Sequence, residues 1–305
     1  ILLNTGWDLP LRALTYWIRG LPAPDVKIQR IQLNETTALL QSLQQDDWEV
    51  SFDKYGQFQE YILPTRLQIN RGTFTANHSG TITLESDASD IPLAENLVVR
   101  AARLLQQGSL GAHITLRKHI PTGAGLGGGS SNAATTLLAL NHLWGLGLPR
   151  SNLQALGATL GADVPVFVGA HTAWAEGTGE ILTAIELPQR WYLIVVPDCH
   201  ISTAEIFSHP QLTRNSIPIK MAAFFGGDSR NDCQQLVRQI YPEVDKALKV
   251  LGNFGDPRLT GTGACAFLGF DSEAQARAVR EQLQGEWTTV LAQGVNTSPG
   301  LLELV

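Results

Sequence analysis

Pro121-Thr-Gly-Ala-Gly-Leu-Gly-Gly-Gly-Ser-Ser-Asn-Ala-Ala-Thr135 decides how the rest of the chain is read. Glycine stands at 123, 125, 127, 128 and 129, directly ahead of a strong helix signal. With no Cβ in the way, such residues let backbone N–H groups turn toward an anion, and the following helix aims its unsatisfied donors and positive dipole end at the same point. The stretch predicts a phosphate cradle. Its helix carries Ala133, Leu137, Leu140 and Trp144 on one face and ends at Gly145 and Gly147, before Pro149.

The surroundings narrow the kind of phosphate site. No Gly-Lys-Ser/Thr follows, which excludes a Walker A loop. Gly123, Gly125 and Gly128 satisfy Gly-x-Gly-x-x-Gly after the strand-like His113–Leu116. A dinucleotide fold, however, wants an acidic residue about 20 positions further on to hold a ribose. Between Glu95 and Asp163 there is no Asp or Glu, whereas Arg100, Arg103, Arg117, Lys118 and Arg150 fall inside that interval. A carboxylate-free, mildly basic stretch suits a polyphosphate. It closes at Gly161-Ala-Asp-Val-Pro-Val-Phe167, where Asp163 is either a cap or turn residue or a carboxylate placed for chemistry near the phosphates. Leu259-Thr-Gly-Thr-Gly-Ala-Cys-Ala-Phe267 is a second glycine turn that runs into an apolar strand; alone it reads equally well as a hairpin turn.

Ser151-Asn-Leu-Gln154 reads as a capping box opening the helix of Leu153, Leu156 and Leu160. Strands are expected at Thr172–Trp174 and Trp191–Val196, and a last helix at Glu273–Leu283, capped by Asp271 or Ser272, lies between strands at 264–270 and 287–291. That order predicts an α+β sandwich. Residues 1 to about 72 differ in texture. Trp48, Val50 and Phe52 alternate as in a half-buried strand, Leu63, Leu67 and Ile69 suggest another, and the apolar stretch before Gly20-Leu-Pro reads as a short helix.

Composition supports a soluble, cytoplasmic globular chain. Its 305 residues allow about two domains, and 44% hydrophobic with 16% charged residues is ordinary for a folded protein. No apolar run approaches a membrane span, and no signal peptide is apparent. A net charge of −6 argues against general nucleic-acid binding. Cys199, Cys233 and Cys265 are too widely spaced to indicate a disulfide framework or a zinc site, and no metal ligand set is expected. The seven His read as structural or solvated, and Met221, Phe224 and Phe225 as core.

Five ordered blocks together resemble the GHMP superfamily of small-molecule kinases, and within it those acting on a cytidine diphosphate-linked methylerythritol. They are Lys118–Ala134, Leu140–Trp144, Leu160–Phe167, Ala175–Glu180 and Arg258–Cys265, with Asn296–Pro299 resembling the close of that family. The resemblance implies a GHMP kinase fold, ATP and Mg²⁺ as cofactors and transfer of a phosphoryl group to the substrate's 2-hydroxyl. It implies that Pro121, Thr122, Gly123, Ala124, Gly125, Leu126, Gly127, Gly128, Gly129, Ser130 and Ser131 hold ATP phosphates, with Asn96 and Lys118 on the nucleotide side. Asp163 would act on the hydroxyl, and Thr203 and Phe207 would face the cytidine.

Two family elements are not found in the chain: an opening Pro-Ala-Lys-Leu/Ile-Asn, whose Lys sits beside the catalytic Asp, and an Asp-Gly-Tyr-His that grips the cytosine. Kinase-like sequence begins near Gly80-Thr-Ile-Thr-Leu84. Residues before it, including Gly6–Leu11, Trp17–Pro24 and Leu63–Arg71, resemble the C-terminal part of the outer-membrane lipoprotein receptor family LolB, without its lipid anchor and most of its barrel strands. The expected organisation is therefore a LolB-like antiparallel β fragment at 1–78, a truncated ATP-binding domain at 79–172 and the α/β-sandwich C-terminal domain at 173–305. An in-frame join of two reading frames would produce it, and a chain opening at Ile1 reads as a fragment.

Overall fold

The computed structural model describes residues 21–24, 28–34, 37, 39–45, 48–58, 61–71, 74–77, 79–87, 91–118, 120–225 and 229–298. The helix expected before Gly20 lies outside them. The described residues fall into two compact units: one holds those from 21 to 99 and from 106 to 118, the other those from 100 to 105 and from 120 onward.

In the first unit, β1 (Ile28–Leu33), β2 (Leu40–Gln45), β3 (Trp48–Phe58) and β4 (Tyr61–Arg71) form an antiparallel meander in chain order. The two expected strands pair with each other, Val50 opposite Ile69 and Phe52 opposite Leu67. Leu40, Leu43 and Phe52 are buried. Gln45 is buried too, and its amide is satisfied by a reciprocal pair with Ala23, Oε1 accepting from the N–H and Nε2 donating to the carbonyl, each at 2.8 Å. Leaving such an amide unpaired would cost about 1–3 kcal/mol. The Tyr55 hydroxyl donates to the Leu40 carbonyl at 2.6 Å, and burial pushes its phenol above the usual range.

A second sheet in this unit runs β5 (Phe74–Asn77), β7 (Gly111–Leu116), β6 (Ile82–Ser86). β6 and β7 are parallel, as a crossover through α1 (Leu97–Leu105) requires, and β5 pairs antiparallel with the other edge of β7. The boundary expected at 78/79 thus falls between two strands of one sheet, because the backbone groups on the outer edge of β7 take their partners from residues 74–77.

The second unit is built around α2 (Gly128–Leu143) and a four-stranded sheet. Ala133, Ala134, Thr136, Leu137, Leu138, Ala139 and Leu140 are buried, so α2 is enclosed on every side rather than on one face. Thr136 is accommodated because its hydroxyl donates to the Asn132 carbonyl at 2.8 Å. α3 (Arg150–Ala158) starts at Pro149, and Ser151 lies inside the helix with no side-chain cap. This corrects the capping-box reading. Proline fixes a φ of −64° at the N-cap, and the helix opens directly after it. α4 (Val164–Gly169) follows, tied to α3 by Gln154 Nε2 donating to the Pro165 carbonyl and Arg150 Nη1 to the Gly169 carbonyl.

Beyond the hairpin of β8 (Ala173–Glu176) and β9 (Ile181–Ala184), β10 (Trp191–Val196) is one of the two inner strands of the order β11 (Arg258–Leu259), β12 (Ala266–Phe270), β10, β13 (Thr288–Gln293). Alternate residues of β10 face opposite ways. Leu193 and Val195 join Ile206 of α5 (Thr203–Ser208), Val237 of α7 (Gln234–Ile240), Leu248 and Leu251 of α8 (Pro242–Gly252) and Val279 of α9 (Glu273–Leu283). Ile194 instead meets Ala124 of the glycine-rich loop and Cys265, with Leu126 packed alongside. Ser272 caps α9 by accepting from the Gln275 N–H. The five-residue α6 (Met221–Phe225) buries none of its residues, which corrects the core reading of Met221, Phe224 and Phe225. Phe224 instead rests on Trp174, ring centroids 5.6 Å apart.

Candidate functional site

The glycine-rich loop is held by its carbonyls. Those of Thr122, Gly123 and Ala124 each accept a hydrogen bond from the C-terminal half of the same unit. His200 Nδ1 reaches Thr122 at 3.2 Å, the Ala264 N–H reaches Gly123 at 3.0 Å, and the Cys265 N–H reaches Ala124 at 3.3 Å. The Thr260 hydroxyl, 8% exposed with its residue, also donates to Ala124 at 2.8 Å, with the Cys265 carbonyl 2.9 Å from it. The second glycine turn is the hairpin the sequence allowed, with a contact the sequence did not show. It is the loop of a hairpin, Leu259 opposite Ala266, and it is the clamp on the first loop. Asn231 braces that clamp, its Nδ2 donating to the carbonyls of Leu259 (3.1 Å) and Gly261 (2.7 Å) while its Oδ1 accepts from the Cys233 N–H.

Gly125 is where the two loops touch most closely. Its φ is +68°, and a Cβ there would lie 2.2 Å from the Thr260 carbonyl oxygen and 2.6 Å from that of Gly263. Only glycine fits. Two residues later Gly127, also left-handed, ends the loop as the N-cap of α2, without a side-chain cap. The Ser131 N–H closes onto the Gly127 carbonyl at 2.9 Å. The N–H groups of Gly128, Gly129 and Ser130 precede that bond, and like those of any first helical turn they lack an intrahelical acceptor. The first turn contains no acidic residue. Carbonyls consumed on one side, with donors and a helix dipole left on the other, make a receptor for an anion.

Asp163 occupies the N-cap position of α4, yet its side chain makes no capping bond, and it is exposed. It sits at a helix start, but its carboxylate is not used as the cap. Buried Val164, Pro165 and Val168 hold α4 in the core and so fix where Asp163 emerges. Of the family-derived residues, the loop, Asp163, Thr203 and Phe207 lie in one unit. Thr203 Oγ1 is 3.0 Å from Thr262 Oγ1 of the clamp, and Phe207, one turn further along α5, is 57% exposed. Asn96 and Lys118 lie in the other unit. There Asn96 Oδ1 accepts from the Val98 N–H at 3.0 Å, and the Lys118 N–H donates to Asp87 Oδ1 at 2.9 Å. The basic interval is partly spent elsewhere: Arg117 pairs with Glu85, and Arg150 serves α4.

Sequence reasoning missed His200, Thr260 and Asn231. The reading of every His as structural or solvated holds for His200 too, an exposed residue, but did not show that its ring lies against Gly123. Nothing local in the sequence marks it, because its contact is 78 residues away. The three thiols are free; burial, with Cys199 a smaller contributor, pushes Cys265 up to about 12. The Ala175–Glu180 turn is closed by Glu180 Oε2, which accepts from the Thr178 N–H and hydroxyl, both at 2.7 Å, and these bonds hold the exposed carboxyl below its ordinary value. Among the described residues no cluster of three His, Cys, Asp or Glu side chains is placed to hold a metal, and no helix is long and apolar enough to cross a membrane.

Comparison with known proteins places these features in a common setting. Residues 96–170 match the GHMP kinases N terminal domain, residues 218–289 the GHMP kinases C terminal domain, and residues 1–87 the outer membrane lipoprotein LolB. The chain is 52% identical over 230 residues to 4-diphosphocytidyl-2-C-methyl-D-erythritol kinase of Methylococcus capsulatus, covering 74% of this chain and 79% of that one. It is 53% identical over 229 residues to the kinase of the same name from Pseudomonas putida strain W619, covering 74% and 80%. A crystal structure of 4-(cytidine 5'-diphospho)-2C-methyl-D-erythritol kinase superposes with a TM-score of 0.59 at 26% identity, over 86% of this chain and 93% of that one. Homoserine kinase from Cytophaga hutchinsonii shares the fold, with a TM-score of 0.52 at 17% identity over 83% and 86%. The strands β5 and β6 fall inside the LolB match and β7 inside the kinase match, so one sheet draws on both.

Proposed function

Because the chain belongs to the GHMP kinases, and among them to the 4-diphosphocytidyl-2-C-methyl-D-erythritol kinases, we propose that it transfers the terminal phosphoryl group of ATP to the 2-hydroxyl of that cytidyl substrate. The observation that carries this reading is the carbonyl-clamped loop opening onto the free N-terminus of α2. In phosphoryl transfer most of the catalysis is positioning and charge stabilisation, which such a rigid set of donors supplies. The loop from Pro121 to Ser131 would hold the nucleotide phosphates. The Ser130 and Ser131 hydroxyls are oxygen donors of the kind that would hold Mg²⁺ bound with the nucleotide, which would supply neutralisation of phosphate charge. Asp163 orients the substrate hydroxyl and takes its proton. Asn96 and Lys118 serve the nucleotide side, and Thr203 and Phe207 the cytidine. A chain with this activity would work in the cytoplasm, in the synthesis of isoprenoid precursors by the non-mevalonate route.

The missing Pro-Ala-Lys segment favours a second reading, in which nucleotide is bound but turnover is slow. Losing one electrostatic partner of a developing oxyanion costs on the order of 10²–10³ in rate. Both readings are tested by Asp163→Asn in the full chain. We expect Mg-ATP affinity measured by calorimetry to be unchanged, and substrate-dependent ATP consumption to fall by about 10²-fold or more. Equal consumption in both proteins would remove Asp163 from the reaction.

A further inference from the structure

We infer that His200 is a positioning residue of the phosphate loop, holding the Thr122 carbonyl back so that the loop presents donors rather than acceptors to the nucleotide. The inference rests on the nucleotide-binding reading of the loop. It starts from three consecutive carbonyls with three separate partners. Those of Gly123 and Ala124 are held by backbone N–H groups and a buried hydroxyl of one hairpin. The carbonyl of Thr122 is held from a different segment, the turn between β10 and α5, by a single side chain. A carbonyl only accepts, so the bond fixes the proton on Nδ1 of the imidazole. The ring also fills the space beside the loop: a Cβ on Gly123 would lie 2.3 Å from Nδ1 and 2.4 Å from Cε1. His200 is therefore both a hydrogen-bond donor to the loop and a wall against it. The loop enters at Pro121, ahead of all the hairpin contacts. Without His200 the Thr122 carbonyl loses its partner from the C-terminal half and is free to rotate toward the anion, where it repels phosphate.

The donor position can be separated from the bulk of the ring. Asparagine carries an amide nitrogen the same number of bonds from Cα as Nδ1, whereas alanine carries none and glutamine places its nitrogen one bond further out. Amide hydrogen exchange in the nucleotide-free full chain reads the loop directly. In His200→Ala we expect exchange at residues 123–127 to rise about 5- to 10-fold, the loss of one partly exposed hydrogen bond. His200→Asn should stay near the unmodified rate, His200→Gln should resemble the alanine variant, and β10 should be unaffected in all three. Mg-ATP affinity should follow the same order. Unchanged loop exchange in His200→Ala, or equal effects of Ala and Asn, would overturn the assignment. If the unmodified chain binds no Mg-ATP, the nucleotide reading falls, while the exchange data still decide whether His200 holds the loop.

Discussion

Replacing Gly125 with alanine tests the clamp at its tightest point. Its left-handed backbone costs alanine about 1–2 kcal/mol wherever it occurs. Here the new Cβ would also stand 2.2 and 2.6 Å from two backbone oxygens, of Thr260 and Gly263, which cannot swing aside as a side chain would. The loops must separate, and the bonds from Ala264 to Gly123, from Cys265 to Ala124 and from Thr260 to Ala124 are lost or stretched. At about 0.5–1.5 kcal/mol net for each bond, the total loss is about 3–6 kcal/mol. Gly147→Ala is the control, because Gly147 has a φ of +63° with nothing within 4 Å, so only the backbone cost of about 1–2 kcal/mol remains. Denaturant unfolding of both full-length variants isolates the contact as their difference. Mg-ATP titration should show loss of binding for Gly125→Ala and near-normal affinity for Gly147→Ala. Equal unfolding midpoints with equal affinities would refute the clamp and, with it, the claim that the loops act as one unit.

Two further outcomes follow from the packing. Cys265 is fully buried with its thiol pushed up to about 12, whereas Cys199 is only partly buried. Iodoacetamide at pH 8 should therefore label Cys199 first and leave Cys265 until the chain unfolds, as peptide mass mapping over time would show. A chain starting at Ser79 should be less stable than the full chain by about 2–4 kcal/mol, since it removes β5 and leaves four residues of the β7 edge unpaired. Faster amide exchange at Gly111–Ile114 is the accompanying sign, and unchanged exchange there would mean that residues before 79 contribute nothing to the kinase sheet.

The sequence displayed the parts of the site that are local. Glycines at the loop, the helix that follows them and the Ser272 cap are readable because their causes lie within a few residues. Pairing across long separations was not readable. Thr260 meets Ala124 across 136 positions, and His200 meets Thr122 across 78, and no single-chain pattern encodes either contact. Asp163 shows the intermediate case: its place in a short apolar segment was visible, but only the structure shows a helix that starts there without using its carboxylate. The 78/79 boundary rested on where one family resemblance gives way to another. Strand pairing ignores ancestry, because backbone N–H and C=O groups bind whichever strand brings them partners.

On the proposed reading, the phosphate loop, its hairpin clamp, α2 and His200 all lie between residues 120 and 298 in one compact unit, as does Asp163, the residue assigned to the substrate hydroxyl. The cytidine side is less complete. Phe207 is 57% exposed, a large apolar cost for a residue that the family resemblance assigns to a cytosine contact, and the aromatic that would face it belongs to the Asp-Gly-Tyr-His segment not found in this chain. An aromatic pair enclosing a ring is worth about 0.5–1.5 kcal/mol beyond the area it buries, and half of such a clamp leaves one face of the base in water. Defects in this chain should therefore fall on the cytidyl substrate, as a raised KM, and on proton transfer at the hydroxyl, as a lowered kcat, while nucleotide affinity is kept. Joining the kinase-like residues to a LolB-like segment preserves the sheet through β5, because any strand satisfies an edge. It does not restore the Lys or the Tyr-His pair, because those act through side chains.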